Sequence, residues 1–369
     1  MDHHELFTRT VNHYLAPIRA YLEDASVTEV MINHAAEVYI EREGRLIRTE
    51  ARFADKETYT AAVNNILQFT GKSLSTDIPL IDSRLPDGSR VHVAQEPCSR
   101  LGTVMTIRKF NKQMLDMDWL IELGSLTDQA AEYLDVAVKS ERNVLVAGGT
   151  SSGKTSLLNA LSRYIPPGQR VVVIEDSSEL QLQQDHVVSL ETRSPDRYGR
   201  GAVGIRELFR SSLRLRPDRI IIGEVRGGEA LDMIQAMTSG HGGSMGTLHA
   251  NNARDALNRL ETMALMSKVE LPLHALRSQV SSAIDIVVQM NRMIGGYRRL
   301  TQIAEVDPLG EDSSYRLRDI FTLKLDESDP TGKTLQLHWT GERSGFSGQL
   351  RPDVRDGVTR LTRDIFRTD

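Results

Sequence analysis

Residues 146–161 read VAGGTSSGKTSLLNAL, a turn rich in glycine and hydroxyls with one lysine, set between two apolar patterns. The run before it, NVLVAG (143–148), has the composition of a buried strand, and KTSLLNALSRYI (154–165) repeats apolar residues at helical spacing. Between them, Gly148 to Thr155 fits G-x-x-x-x-G-K-[ST] in the strand–loop–helix context that makes this spacing a phosphate-binding loop. Glycines let consecutive backbone N–H groups curl around an anion at a helix N-terminus, where the peptide dipoles favour negative charge. Gly148, Gly149, Thr150, Ser151, Ser152, Gly153, Lys154, Thr155 and Ser156 are therefore the expected nucleotide-binding residues. Lys154 is expected to reach the β- and γ-phosphates of a nucleoside triphosphate, and the Thr155 hydroxyl to hold Mg²⁺. The competing reading is an ordinary glycine-rich turn before a helix, which the flanking strand and helix argue against.

Downstream, RVVVIED, DRIIIGE and GSMGTLHA alternate with helical patterns such as GEALDMIQAM and RDALNRLETMALM. Strand and helix in turn predict an α/β domain with a mainly parallel sheet covered on both faces. Ligands of such sheets bind at the carboxyl ends of the strands. RIIIGEVRG (219–227) ends there on Glu224, and a strand adjacent to the phosphate loop would deliver this carboxylate as general base or water-orienting group. VVVIEDSSEL (171–180) brings Glu175, Asp176 and Glu179, which either hold Mg²⁺ through water or cap the next segment. His241 and His249, in SGHGGSMGTLHANN (239–252), are eight residues apart, a poor pattern for zinc, and are expected to hydrogen-bond near the γ-phosphate.

A chain of 369 residues exceeds what one core usually supports, so two domains are expected. Residues 1–112 read as an N-terminal α+β domain, 113–125 as a linker, 126–306 as the ATPase domain, and 307–369 as a tail without assignable chemistry. In the first domain, Pro86-Asp87-Gly88 marks a turn between two strands, and DKETYTAAVNNILQFTGK marks a helix. Composition is that of a globular protein, 40% hydrophobic and 26% charged. A net charge of -5 gives no global drive toward nucleic acid. No apolar run approaches the length of a membrane-spanning helix, and the first 24 residues lack the pattern of a secretory signal, so a cytoplasmic location is expected. Cys98 is the single cysteine, which excludes an intrachain disulfide.

Taken together, GGTSSGKTSLLNAL, VVVIEDSSEL, LRLRPDRIIIGEVRGGEALDMIQAM and TSGHGGSMGTLHANN resemble, in order, the Walker A, Asp-box, Walker B and His-box motifs of the type II/type IV secretion ATPase superfamily. SVTEVMINHAAEVYIEREGRLIRTEARF and SRLPDGSRVHVA look most like the Tad/Flp pilus-assembly subgroup, a resemblance spanning about residues 20–305. It implies an N-terminal domain followed by a RecA-like P-loop ATPase domain, assembled as a homohexamer. It further implies ATP and Mg²⁺ as cofactors and an inner-membrane platform protein as partner, giving peripheral association at a pilus or secretion machine. Carried over residue by residue, Lys154 and Glu224 are catalytic; Thr155, Glu175 and Glu179 serve Mg²⁺; His249 and His241 sense the γ-phosphate. Arg84, Arg90 and Arg108 stand at positions similar to those that bring arginines to the phosphates; without the resemblance each reads as a surface residue. Ser151 departs from the subgroup, which often has glycine there. Conjugative or type IV secretion transfer is the alternative machine, and a nucleotide-switched scaffold with little hydrolysis the alternative of another class.

Overall fold

The computed structural model describes residues 3–42, 44–110, 116–193, 195–196, 199–325 and 335–368. Two compact units divide the chain, residues 1–113 and 114–369.

The first unit begins with α1 (His3–Tyr14) and α2 (Arg19–Glu23), followed by β1 (Val27–His34), β2 (Glu37–Arg42) and β3 (Arg45–Arg48). Then come α3 (Lys56–Phe69), β4 (Leu80–Arg84), β5 (Arg90–Ala94) and β6 (Val104–Arg108). Asp55 starts α3 by accepting the N–H of Thr58. Among the described residues the strands form one antiparallel sheet in the order β3-β2-β1-β6-β5-β4. Alternate residues, Val30, Ile32, Val91, Val93, Met105 and Ile107, are buried in a core shared with Tyr59, Val63 and Ile66 of α3. Strand side chains alternate between faces, so the intervening residues occupy the opposite face.

The second unit contains α4 (Met117–Glu122), α5 (Asp128–Lys139), β7 (Val144–Gly148), α6 (Lys154–Ser162), β8 (Val171–Glu175), β9 (Val187–Glu191) and α7 (Ile205–Ser212). It continues through β10 (Arg219–Ile222), α8 (Glu229–Met237), β11 (Met245–Leu248), α9 (Ala253–Leu265) and α10 (Leu273–Ala283). Last come β12 (Ile286–Arg292), β13 (Arg298–Asp307), β14 (Arg316–Leu325), β15 (Leu335–Trp339) and α11 (Pro352–Arg355). Among the described residues one sheet runs β15-β14-β13-β12-β7-β11-β10-β8-β9. Its strands from β12 to β9 are parallel, while β13, β14 and β15 are added antiparallel. Val144 and Val146 pack on one face with α5 and α6, Leu145 and Ala147 on the other with α8, α9 and α10. Covering both faces is why the parallel strands read as continuous apolar runs.

Two expected boundaries differ. Residues 113–115 of the expected linker lie outside the described residues, but the rest is no free connection. Asp116 caps α4 through the N–H of Trp119, and Met117 and Leu120 enter the same core as α5. The expected tail after 306 is also part of that core: Phe321, Leu337, Phe346, Ile365 and Phe366 are buried there, with Phe366 stacked on Tyr133 at 5.6 Å. Buried Glu305 draws the segment in, accepting from the hydroxyls of Tyr133 and Ser344 and from the N–H of Gly345. YRLRDIFTL and TLQLHWTG read as strands in the sequence, but their place on the sheet edge, paired antiparallel, lies outside a parallel-sheet pattern.

Candidate nucleotide site

β7 delivers the glycine-rich loop to the carboxyl end of the sheet. Gly148 has no room for a side chain: a Cβ would lie 2.3 Å from the Met290 carbonyl and 2.5 Å from Ser152 Oγ. Gly153 turns the chain into α6 at φ 99°, a conformation glycine adopts freely. Ser151 takes φ 57°, a conformation that burdens an L-residue, at the position where the resembling subgroup often has glycine. Its carbonyl accepts from Arg298 Nε at 3.1 Å. The first N–H groups of α6 are the unsatisfied donors that every helix start presents. Lys154, 8% exposed, lies over the loop and donates to the carbonyls of Gly148 and Gly149 at 3.1 and 2.9 Å. Thr150, Thr155 and Ser156 lie in the same loop and first helical turn.

Glu224 does not come from the adjacent strand, as the sequence suggested. β11 lies between β7 and β10, so two strand spacings, about 10 Å, separate the loop from Glu224. His249, one residue past β11, spans that gap. Its Nδ1 lies 3.4 Å from Lys154 Nζ and its Nε2 2.7 Å from Glu224 Oε1. Burial first, then the Lys154 charge, holds the His249 imidazole below its ordinary pKa, so the ring is kept neutral. The 2.7 Å approach is not aligned as a hydrogen bond: Glu224 Oε1 is buried without a hydrogen-bond donor among the described residues. A carboxylate oxygen in that condition can accept a proton from water.

Three contacts absent from the sequence reading support Glu224. Thr247 Oγ1 donates to the Gly223 carbonyl at 2.6 Å, tying the strand end to β11. Arg226 donates to Glu224 Oε2 at 2.6 Å and, through its other terminal nitrogen, to Asp176 Oδ2 at 2.9 Å. Glu229, 7% exposed at the start of α8, accepts the backbone N–H groups of Arg226 and Gly227. A cavity of about 360 Å³ opens onto this cluster, lined by Glu224, Arg226, His249, Arg259, Met263 and Met266 among others. Arg226 was visible in GEVRG, two residues after the acid; its target was not.

The remaining expected residues divide. Glu175, at the end of β8, is 4% exposed and caps its own loop, accepting the N–H groups of Glu179 and Leu180 at 2.9 and 3.0 Å. Glu179 sits within that loop. Among the described residues no group of three or more His, Cys, Asp or Glu forms a metal cage. His241 does not stand beside His249 within this chain. It precedes β11 whereas His249 follows it, so the strand's length, about 13 Å, puts them at opposite ends of the sheet. Its carbonyl accepts from Ser244 Oγ, whose own oxygen accepts the N–H of Ile220 at the start of β10.

Arg84, Arg90 and Arg108 lie in the first unit and form a single cross-strand row. Arg84 pairs with Arg90 and Arg90 with Arg108, and the row continues to Glu29 and Glu41. Their neighbours Ser83, Val91 and Ile107 face the core, so the three guanidiniums share the outer face. Like charges placed directly opposite cost stability. Glu29, 3.8 Å from Arg108, offsets part of that.

A family model described as Type II/IV secretion system protein matches residues 12–308. The chain belongs to this secretion ATPase family. The type IV secretion system protein PtlH of Bordetella pertussis is 34% identical over 315 residues, 79% of this chain and 93% of that one. The conjugal transfer protein TrbB of Rhizobium radiobacter is 32% identical over 291 residues, 78% and 85% of the two chains. The structure of the pilus retraction motor PilT with bound ADP shares the fold, with a TM-score of 0.57 at 19% identity over 81% of this chain and 84% of that one. PtlH and TrbB favour the alternative machine, type IV secretion or conjugal transfer, over the Tad/Flp subgroup.

Proposed function

We propose that this secretion-family chain hydrolyses ATP to drive a type IV secretion or conjugal-transfer machine. The observation that carries the reading is the line Lys154–His249–Glu224 across three neighbouring strand ends, with a buried Glu224 oxygen that has no hydrogen-bond donor among the described residues. The cavity of about 360 Å³ that opens onto Glu224 and His249 offers space for an attacking water. Lys154 and the N–H groups of the loop bind the phosphates, and Glu224 Oε1 takes the proton as the water oxygen attacks phosphorus and ADP leaves. His249, neutral, hydrogen-bonds at the γ-phosphate.

Mg²⁺, when bound, would neutralise charge on the β- and γ-oxygens, and the Thr155 hydroxyl fits it as ligand, with Glu175 and Glu179 contributing to its surroundings. Because this ion is usually held by phosphates, waters and one or two protein oxygens, it needs no protein cage. The row Arg84–Arg90–Arg108 puts three guanidiniums side by side on one face, the groups that bind phosphate oxygens in a fork. In a homohexameric ring, hydrolysis would drive motion against a platform protein at the inner membrane. Among the described residues no helix is long and apolar enough to cross a membrane, which agrees with attachment through partners.

Phosphate release by the purified protein, with and without Glu224→Gln, tests the hydrolysis. Wild-type turnover no faster than the variant leaves a nucleotide-switched scaffold instead. Particle mass measured with and without ATP and Mg²⁺ tests the ring, which a monomer under every condition would remove.

A further inference from the structure

The pair formed by Arg226 and Glu224 is poorly placed to stabilise the fold. The Arg226 side chain is 60% exposed, and ion pairs that reach solvent contribute about 0–1 kcal/mol. Yet this arginine is held at more points than an incidental surface residue. Its two terminal nitrogens grip carboxylates from different strand ends, Asp176 after β8 and Glu224 after β10, and its backbone N–H is bound by buried Glu229. Among the described residues Glu224 is thereby fastened by Oε2 alone, leaving Oε1 turned to His249 without a hydrogen-bond donor.

A carboxylate one residue beyond a strand's last glycine can rotate about its side-chain bonds. Bonding one oxygen removes that freedom and selects which oxygen meets the water. We propose that Arg226 is a positioning residue for hydrolysis: it clamps Oε2 of the general base so that Oε1 faces the attacking water, with Asp176 as the anchor that keeps the clamp in place. Arg226 acts through Glu224, and the phosphate loop has no part in the clamp. Losing it misdirects the base without weakening nucleotide binding, because remote misplacement by about an ångström is enough to cost a large factor in rate.

The inference rests on the ATPase reading above. The test is steady-state ATP turnover of the full chain and its Arg226→Gln, Arg226→Lys and Asp176→Asn variants, with ADP affinity measured alongside. Arg226→Gln should lower kcat by about 30- to 100-fold with KM and ADP affinity within about threefold of wild type. Arg226→Lys, which keeps one charged donor for Glu224, should recover about tenfold of that loss. Asp176→Asn, which leaves the clamp in place but loosens its anchor, should lower kcat by about threefold at unchanged KM.

Turnover of Arg226→Gln within twofold of wild type overturns the proposal. So does a tenfold rise in KM at unchanged kcat, which would make Arg226 a nucleotide-binding residue. If Arg226→Gln fails to fold, the Lys and Asn variants decide, and wild-type kcat in both overturns it as well. Wild-type protein without turnover breaks the ATPase reading itself, a different outcome from active wild type with an active Arg226→Gln.

Discussion

The two ends of the nine-stranded sheet are built from similar polar side chains put to opposite uses. At the amino end, Asn143 donates to the carbonyls of Ala283 and Met237 and accepts the N–H of Ser244, joining four segments around one amide. Arg219, fully buried, donates to Gln169 and to the carbonyls of Gly243 and Val138. Burial lowers its pKa to about 10, still charged at neutral pH. Ser140 Oγ, Arg142 Nε and His241 Nδ1 are exceptions there, buried without a hydrogen bond among the described residues. At the carboxyl end, Glu224 Oε1 and Ser152 Oγ are buried without hydrogen-bond partners among the described residues. Buried polar groups that satisfy one another hold strands in register. Groups left unsatisfied in a cleft are what a substrate can complete, so on the proposed function one end of the sheet holds the fold and the other is where the chemistry takes place.

The largest effect expected from this contrast is at Glu224. Glu224→Gln keeps size and polarity but cannot take a proton, so turnover should fall about 10²- to 10⁴-fold, with ADP affinity and Tm nearly unchanged. A variant that also loses several degrees of thermal stability would show that the carboxyl end supports the fold too, and the contrast would collapse.

The mirror experiment is Arg219→Met. It leaves two buried carbonyls and the Gln169 amide oxygen without their donor, which should cost about 3 kcal/mol. For a unit of this size that corresponds to a Tm lower by roughly 6–12 °C, read by calorimetry. The KM for ATP should stay within about twofold, because the acceptors that Arg219 serves lie a strand's length from the loop.

The two histidines bring the contrast onto a single strand. His249→Gln should lower kcat by about tenfold, since the ring touches both Lys154 and Glu224. His241→Gln should leave the turnover of the isolated chain within about twofold. Equal losses would mean that His241 reaches a nucleotide site after all, by way of a second copy.

This pair also shows how the sequence carried the site and where it fell short. The loop was legible because its spacing, glycines and flanking patterns are local, and all of them fall within one strand–loop–helix unit. Glu224 was legible as the residue ending an apolar run. His241 was misplaced although the signal was present: it comes before TLHA's strand and His249 after it, and a parallel strand carries its flanking residues to opposite ends. What the sequence could not give was strand order. Inserting β11 between β7 and β10 turned an expected contact into a gap bridged by His249. The row of Arg84, Arg90 and Arg108 is of the same kind, since only the register of three strands reveals that they stand side by side. The closing segment was missed because Phe346 and Phe366 enter the core from irregular chain, with no period to announce them.

The smallest effect is one of pH, and its sign follows from His249. Burial, then Lys154, depresses the proton affinity of the ring in the folded chain below the ordinary 6.5. Between the depressed value and 6.5 the unfolded chain therefore binds more protons than the folded one, and stability declines as pH falls through that window. Above 6.5 the contribution is fully present. Because the side chain is 37% exposed, solvent screens the effect, which keeps it below those of the other substitutions. Glutamine at this position does not titrate. The loss of Tm between about pH 7.5 and about pH 5.5 should accordingly be smaller in His249→Gln than in wild type. Equal losses in the two proteins would mean that the folded chain does not hold the ring neutral. His249 would then enter the site as a cation facing Glu224, and the free acceptor at Oε1, on which the contrast between the two ends depends, would be engaged.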